Sequence, residues 1–445
     1  MVGQGSGTRI WRGRFTKALV LEKPHASLDA LLREEGIEVE RLDAPPTTED
    51  GLIEVLRRGG HQLIFKRSRV QITRRVVESC PSLHAVLLCC IGDDSVDKRA
   101  CADAGVLVMN DPISNGRSVA EMVLGEMLCA GRRIFEAVDT TRRHEWHKTD
   151  KARYELKGKT LGVVGLGNIG KQVAQLGEAL GMKVCFYDTR DVAREVGETL
   201  HWQPTESLKE VFERSHVITL HLSAQDTHGH SNEGLLTREV LMALGTKTDQ
   251  AGPRLFLNAA RGFVHSAEDL LAAVEGGAID YAFVDVFPEE PHADGEPWVN
   301  PYAGTPRIFA TPHIGAATQE AQPRIAQYVA RTTRLFNRLG HVRDCVYSPR
   351  FPIGLQGAEQ PKYILSVVHS DRRGTKKAID EAIFEAGRSN LSSAHHDFAA
   401  MGIAYDVNAL DGPMSDDELH ALVERAVRIS GDPSAIRSVR MIEHP

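Results

Sequence analysis

Short apolar runs recur through the first hundred residues, separated by stretches in which apolar positions return every three or four residues. AlaLeuValLeu (18–21), GlnLeuIlePhe (62–65), AlaValLeuLeu (85–88) and ValLeuValMet (106–109) read as buried strands, and LeuAspAlaLeuLeuArg (28–33) as an amphipathic helix. Uninterrupted apolar strands alternating with helices are the pattern of a parallel sheet covered on both faces. AspPro (111–112) marks a turn, because proline disfavours the helical region at the residue before it. A long helix is predicted from about Asn115 to about Arg143. A second series of strands is predicted at 160–164, 183–187, 216–221, 254–258, 281–286 and 307–310, with a polar loop over 245–252 and a helix over 318–340.

The rhythm changes near the C-terminus. Strands are predicted at 363–368, 399–407 and 436–442 and helices at 376–387 and 416–429, a β-α-(β)-β-α-β order of the ferredoxin-like kind.

Composition narrows the class. The 445 residues carry 53 Lys+Arg and 60 Asp+Glu, a formal charge of −7, with 42% hydrophobic and 25% charged residues. These are globular values that exclude a disordered chain, and the mild acidity argues against a nucleic-acid binder or an anionic-membrane binder. No apolar window is long enough for a membrane span. Residues 1–16 hold Arg9, Arg12 and Arg14 among glycines without the apolar core of a secretory signal, and read as a flexible extension or a segment foreign to the fold. The 7 cysteines are scattered with no CxxC pair, which suits reduced thiols in a cytoplasmic protein and points to no metal site.

The strongest local motif is ThrLeuGlyValValGlyLeuGlyAsnIleGly (160–170), which sets Gly165, Gly167 and Gly170 in GxGxxG spacing between a predicted strand and helix. In a dinucleotide site the first glycine permits the turn, the second lets a pyrophosphate approach, and the third allows close helix–strand packing; alone, the motif also fits a tight βα turn. Asn168 and Ile169 would contribute their amides at the helix start. The next predicted strand ends at Asp188, placed to bind ribose hydroxyls and repel a 2′-phosphate, which predicts NAD, although Arg190 nearby can accommodate that phosphate. Arg261, Glu290 and His313 stand at or just beyond three later strand ends, where a doubly wound sheet faces its ligand. Oxidation of a 2-hydroxy acid needs such a set: a guanidinium for the carboxylate, an imidazole for the hydroxyl proton, and a carboxylate to hold the imidazole. Spacing does not choose His313 over His221 or His265; His221 also ends a predicted strand and would line the cofactor side.

From about Lys17 to about Asp344 the chain resembles the D-isomer-specific 2-hydroxyacid dehydrogenases, most closely the bacterial branch that acts on phosphoglycerate and carries a C-terminal ACT domain. The segments that carry the resemblance are LysArgSerArg (66–69), CysIleGlyAspAspSerValAsp (90–97), SerAsnGlyArgSerValAlaGlu (114–121), GluTrpHisLys (145–148) and ThrProHisIleGlyAlaAlaThrGlnGluAlaGln (311–322). The resemblance implies a flavodoxin-like substrate domain (17–113 and 318–345), an inserted Rossmann-type NAD domain (114–317), a linker (346–361) and an ACT-like regulatory domain (362–445). It implies NAD-dependent oxidation of D-3-phosphoglycerate, the first step of serine biosynthesis, with reduction of 2-oxoglutarate or another small 2-oxo acid, or a non-catalytic NAD-sensing scaffold, as the alternatives.

Carried over by motif, His313 is the acid/base, Glu290 its partner and Arg261 the group that polarises the substrate. Asp285 orients the nicotinamide amide, and Ala259 lines the cofactor. Arg67, Ser68 and Arg69 meet the phosphorylated tail, backbone amides near Gly92 take the carboxylate, and Asn115 lies at the same mouth; Lys148, a further substrate contact, follows the Trp of a segment that in some relatives reaches a neighbouring subunit's site. The one-and-three spacing of Arg67 and Arg69 puts both on one face of a strand, which equally suits a solvated edge. The long helix from Asn115 resembles the family's dimerisation element, implying a homodimer or homotetramer.

The chain departs from the family at Ser223, where proline is usual, and in a longer connection over 246–254. In HisSerAspArgArgGly (369–374), Asp371 and Arg373 replace the Asn and Pro of the ACT pattern. His369 and Asn390 remain as candidates for an L-serine effector, beside a purely structural, dimerising role for this domain.

Overall fold

The computed structural model describes residues 7–226, 230–291, 295–347, 352–356 and 361–444. The chain divides into two compact units, Met1–Pro112 with Gln322–Pro445, and Ile113–Ala321. Much of the expected linker, at 348–351 and 357–360, lies outside the described residues.

The first unit contains a parallel sheet in the order Glu38–Leu42, Lys17–Leu21, Leu63–Lys66, Ala85–Leu88, Leu107–Asn110, which is the flavodoxin-like order 2-1-3-4-5. Strands Leu63–Lys66, Ala85–Leu88 and Leu107–Asn110 are buried along their whole length, as their unbroken apolar runs require. Glu38–Leu42 was not predicted: it is an edge strand whose charges alternate with Val39 and Leu42, so no apolar run marks it. Thr48, Thr73 and Asp97 cap the helices that follow by accepting backbone N–H groups. The helix Ala321–Leu339 returns Ile325, Ala326, Val329 and Phe336 to the core formed by Leu19, Ile64 and Val86.

A second sheet in this unit runs Arg9–Arg12, Ile436–Glu443, Tyr363–Ser370, Ile403–Leu410, Asn390–Phe398. Its last four strands are antiparallel neighbours in the ferredoxin-like order, with helices Thr375–Glu385 and Asp416–Ser430. The predicted strand over 399–407 is displaced: Ala399–Met401 is a 3₁₀ turn, and strands lie on either side of it. The polar sequence of Asn390–Phe398 concealed a strand because it is the sheet edge and half of it faces water.

The N-terminal segment is the clearest correction. Arg9–Arg12 pairs in parallel with Ser438–Met441 and is a fifth strand, not a flexible extension. Arg9, only 8% exposed, donates from Nε to Leu83 O (3.1 Å), from Nη1 to Ala104 O (3.0 Å) and from Nη2 to Val77 O (2.8 Å) and Cys80 O (3.2 Å). Val77, Cys80 and Ala104 belong to the last turns and caps of two helices; Val77 O also accepts Cys80 N–H and Cys80 O also accepts Leu83 N–H, so Arg9 adds a second bond to these two. The buried guanidinium is itself satisfied by the four carbonyls. Arg440 acts similarly, donating to Gly13 O and Phe336 O while its guanidinium lies 3.9 Å from the centroid of the Phe15 ring.

The second unit is a doubly wound parallel sheet. Its order is Gln203–Pro204, Lys183–Tyr187, Thr160–Val164, Val217–Leu220, Leu255–Asn258, Tyr281–Val284, Ile308–Ala310, the Rossmann order 3-2-1-4-5-6 with one further strand. The predicted long helix is two helices, Gly116–Arg132 and Ile134–Arg142, because Arg133 adopts φ 52° and its N–H caps the first helix at Ala130 O and Cys129 O.

Candidate active site

Register sets the site. Val164 pairs with Leu220, Leu220 with Asn258, Asn258 with Val284, and Val284 with Ala310. Five adjacent strands therefore end level, about 4.8 Å apart, and the glycine turn, His221, Arg261, Asp285 and the loop of His313 all leave the same edge.

At the glycine turn each position has a separate physical reason. Gly165 has φ 90°, and a Cβ there would lie 2.5 Å from His221 O; a Cβ on Gly170 would lie 2.1 Å from Gly165 O. Gly167 has nothing within 4 Å of a would-be Cβ, so its absent side chain leaves open approach to the backbone at the start of helix Asn168–Ala179, where Ile169 and Gly170 follow. That open backbone at a helix N-terminus fits a pyrophosphate. Asp188, at the end of the next strand, accepts Leu166 N–H at 2.7 Å and is gripped by Arg190, whose Nε and Nη2 donate at 2.9 and 2.7 Å. Burial pushes this carboxyl up, but the Arg190 and backbone hydrogen bonds outweigh it and hold it below its ordinary range. His221 is buried, its pKa pulled down to about 3 by desolvation, and its Nδ1 lacks a hydrogen-bond partner among the described residues. A neutral imidazole with an orphaned nitrogen beside the glycine turn suits the cofactor side, not acid/base work.

His313 adopts φ 52°, a left-handed conformation that a residue with a side chain seldom takes and that here marks a constrained loop. Its Nδ1 lies 2.8 Å from Glu290 Oε2, and Glu290 Oε1 accepts Phe287 N–H at 3.1 Å. The carboxylate thus fixes the tautomer, with the proton on Nδ1 and the lone pair on Nε2. His313 is half exposed, as a group that must meet a substrate should be.

Two buried residues hold these loops, and sequence reasoning assigned neither role. Asp285, 3% exposed, accepts Thr311 Oγ1–H (2.6 Å) and Ile314 N–H (2.9 Å) on one oxygen and Gly315 N–H (2.8 Å) on the other, clasping the loop on both sides of His313. Asn258 donates to Arg261 O at 2.9 Å and accepts Ala260 N–H at 3.0 Å, which folds the Ala259–Arg261 turn. A Cβ on Gly262 would lie 2.0 Å from the Phe287 carbonyl carbon, so the Arg261 and Glu290 loops touch through backbone. The signal was available: a buried Asn or Asp ending an apolar strand must have partners. Asn115 is buried before helix Gly116–Arg132, with its Oδ1 unpartnered among the described residues, and Lys148 lies in an exposed segment without regular structure.

In the first unit, Lys66 and Leu88 are register partners, so Arg67–Arg69 and Gly92 leave one edge of the parallel sheet. The strand ends at Lys66 and the chain bends over 68–70, so the alternation argued for Arg67 and Arg69 does not carry through. Lys66, unpredicted, is fully buried and donates to Ser95 Oγ (2.6 Å) and Arg67 O (2.7 Å), pinning that bend; desolvation lowers its pKa. In the C-terminal sheet His369 is buried against Asp406, and Asn390 donates to Asn408 Oδ1 at 2.8 Å.

Comparison with known proteins agrees with this geometry. Residues 124–315 match the family model described as D-isomer specific 2-hydroxyacid dehydrogenase, NAD binding domain. The chain is 32% identical to D-3-phosphoglycerate dehydrogenase of Escherichia coli over 80% of its length and 82% of the relative's. It is also 32% identical to the enzyme of that name from Dictyostelium discoideum, over 83% and 86% of the two lengths. Among solved structures, NAD-bound 3-phosphoglycerate dehydrogenase of Entamoeba histolytica shares the fold, with TM-score 0.58 and 24% identity over 75% of this chain and 98% of that one.

Proposed function

Since the chain belongs to the D-isomer specific 2-hydroxyacid dehydrogenases, we propose that it oxidises D-3-phosphoglycerate to 3-phosphohydroxypyruvate with NAD. The observation that carries the reading is the His313–Glu290 pair at 2.8 Å on the sheet edge that also bears the glycine turn and Asp188.

Bound NAD supplies the hydride acceptor for C2. His313 takes the hydroxyl proton on Nε2, and Glu290 stabilises the imidazolium that results. Arg261 binds the substrate carboxylate and offsets charge developing at the C2 oxygen. Asp285 and Asn258 keep His313 and Arg261 in place without touching the reacting atoms. Arg67 and Arg69 receive the phosphate, for which paired guanidinium forks are suited; Ser68, Gly92, Asn115 and Lys148 complete the substrate contacts.

The enzyme acts in the cytoplasm as a homodimer or homotetramer. Supporting this, all 7 cysteines are free, no described helix is long and apolar enough to cross a membrane, and Leu128, Ile134, Phe135 and Val138 present apolar surface along the paired helices. L-serine regulation through His369 would require displacing Asp406.

Initial rates of NADH oxidation with 3-phosphohydroxypyruvate, 2-oxoglutarate, pyruvate and glyoxylate test the proposal. A large preference for the phosphorylated substrate, lost in Arg67→Ala, supports it. Equal rates on unphosphorylated 2-oxo acids, or a preference indifferent to Arg67, move the substrate elsewhere in the family; NADH binding without turnover of any 2-oxo acid identifies a scaffold.

A further inference from the structure

The helix-facing side of the C-terminal sheet is apolar around Leu365, Val367 and Leu410, yet it contains Asp406, with no exposed surface. A carboxylate in such a layer requires partners. It has two histidines. His395 stands directly opposite Asp406 on the edge strand, and its Nδ1 lies 3.0 Å from Oδ1. His369, on the other flanking strand, places Nε2 2.9 Å from Oδ2. The three ligand atoms lie within 4.8 Å of one another.

The far side of each ring is the telling part. His369 Nδ1 is 2.7 Å from Ser370 O, and His395 Nε2 is 3.0 Å from Asp397 Oδ1. A carbonyl and a carboxylate only accept, so each far nitrogen carries a proton and each near nitrogen is aimed at one shared carboxylate. That is the arrangement of metal-binding histidines: a backbone carbonyl or carboxylate fixes the tautomer and turns the other nitrogen towards the ion.

We propose that His369 Nε2, His395 Nδ1 and Asp406 form a divalent-cation site, with Zn²⁺ its natural fit. Two-histidine, one-carboxylate sets bind borderline first-row ions and leave a coordination position for water or an external ligand. Ligand atoms on Zn²⁺ at about 2.1 Å lie roughly 3.4 Å apart, and the three ligand atoms here, none more than 4.8 Å from another, reach that spacing by small side-chain rotations. Binding requires both near nitrogens to offer a lone pair, so the ion competes with protons there. Lys376 Nζ, 3.6 Å from Asp406 Oδ1, is the competing cation; it already pairs with Asp380, one turn along its helix, and can withdraw to it. The three ligands come from three strands, so no sequence spacing signalled them.

The test uses the full chain, stripped with a chelator and titrated with Zn²⁺ against a chromophoric competitor, then with Co²⁺ for its visible spectrum. One ion per chain is expected, with a Co²⁺ spectrum free of thiolate charge-transfer bands. Affinity should be lost in His395→Ala, weakened about 10–100-fold in Asp397→Asn, which leaves the three ligands intact, and tightened in Lys376→Ala. NADH oxidation by metal-free His395→Ala should match that of the metal-free parent, which separates this site from the dehydrogenase reading. Uptake that is unchanged in His395→Ala, Co²⁺ bands from thiolate, or no Zn²⁺ bound at micromolar concentration would each overturn the proposal.

Discussion

Replacing Arg190 by alanine isolates the cofactor's ribose contact. Asp188 uses both oxygens on Arg190 in the structure, at 2.9 and 2.7 Å. A ribose held by Asp188 must take over those acceptor sites, so the ion pair opposes cofactor binding. Asp188 is nearly buried but Arg190 is 38% exposed, so solvent screens the pair and its worth is about 0.5–1 kcal/mol. Arg190→Ala should therefore tighten NADH binding about two- to fivefold. It should weaken NADPH binding, because an uncompensated Asp188 repels the 2′-phosphate. Fluorescence titration of both nucleotides against parent and variant reads the two effects separately. Weaker NADH binding in the variant, or an unchanged NADH to NADPH ratio, would show that Arg190 assists the nucleotide and would refute the reasoning.

Removing the proposed base by His313→Asn should lower kcat by about 10²–10⁴-fold and leave NADH affinity within about twofold; steady-state kinetics with a binding titration checks both. Burial, with repulsion from Asp285 second, pushes Glu126 up to about 8. The folded state then keeps a proton that the unfolded chain releases near 4.5, so this residue makes stability fall as pH rises between those values, by a few kcal/mol at most. Glu126→Gln should raise Tm more at pH 8 than at pH 5, and equal gains at the two pH values would contradict the shift. Arg9→Met removes four hydrogen bonds to buried carbonyls, two of which keep a backbone donor, and should cost about 2–4 kcal/mol, seen as a Tm lower by several degrees, whereas Arg14→Met at an exposed position should change little.

Where burial and periodicity agreed, the fold could be read directly: Leu63–Lys66 and Thr160–Val164 are buried on both faces and appear as plain apolar runs. Edge strands escaped because their stabilisation comes from one neighbour and not from composition, as in Glu38–Leu42 and Asn390–Phe398. Arg9–Arg12 escaped for a related reason: Arg9 finds its acceptors at turns and helix ends some seventy to a hundred residues away. In the site, the placement of Arg261 and His313 beyond strand ends was legible because a doubly wound sheet sends such ends to one edge. Their supports were not, since no sequence pattern shows that the Asp285 carboxylate closes around the His313 loop. The Asp188–Arg190 pairing was equally hidden, because sequence gives proximity but not which group holds which.

Strand Arg9–Arg12 has its partner more than four hundred residues further on, at Ser438–Met441. Thr8 Oγ1 donates to Ile436 O across 428 residues, so this strand has to wait for a neighbour made that much later. At roughly 5–20 residues per second the interval is about 20–90 s, during which a short β-forming segment lacks its neighbour. Arg9 and Arg12, which flank Ile10 and Trp11, place charge where a stray edge could otherwise recruit another chain. Closure of this strand is thus a late event in biosynthesis, and an insertion that crowds either partner strand would act on folding yield before it acted on activity.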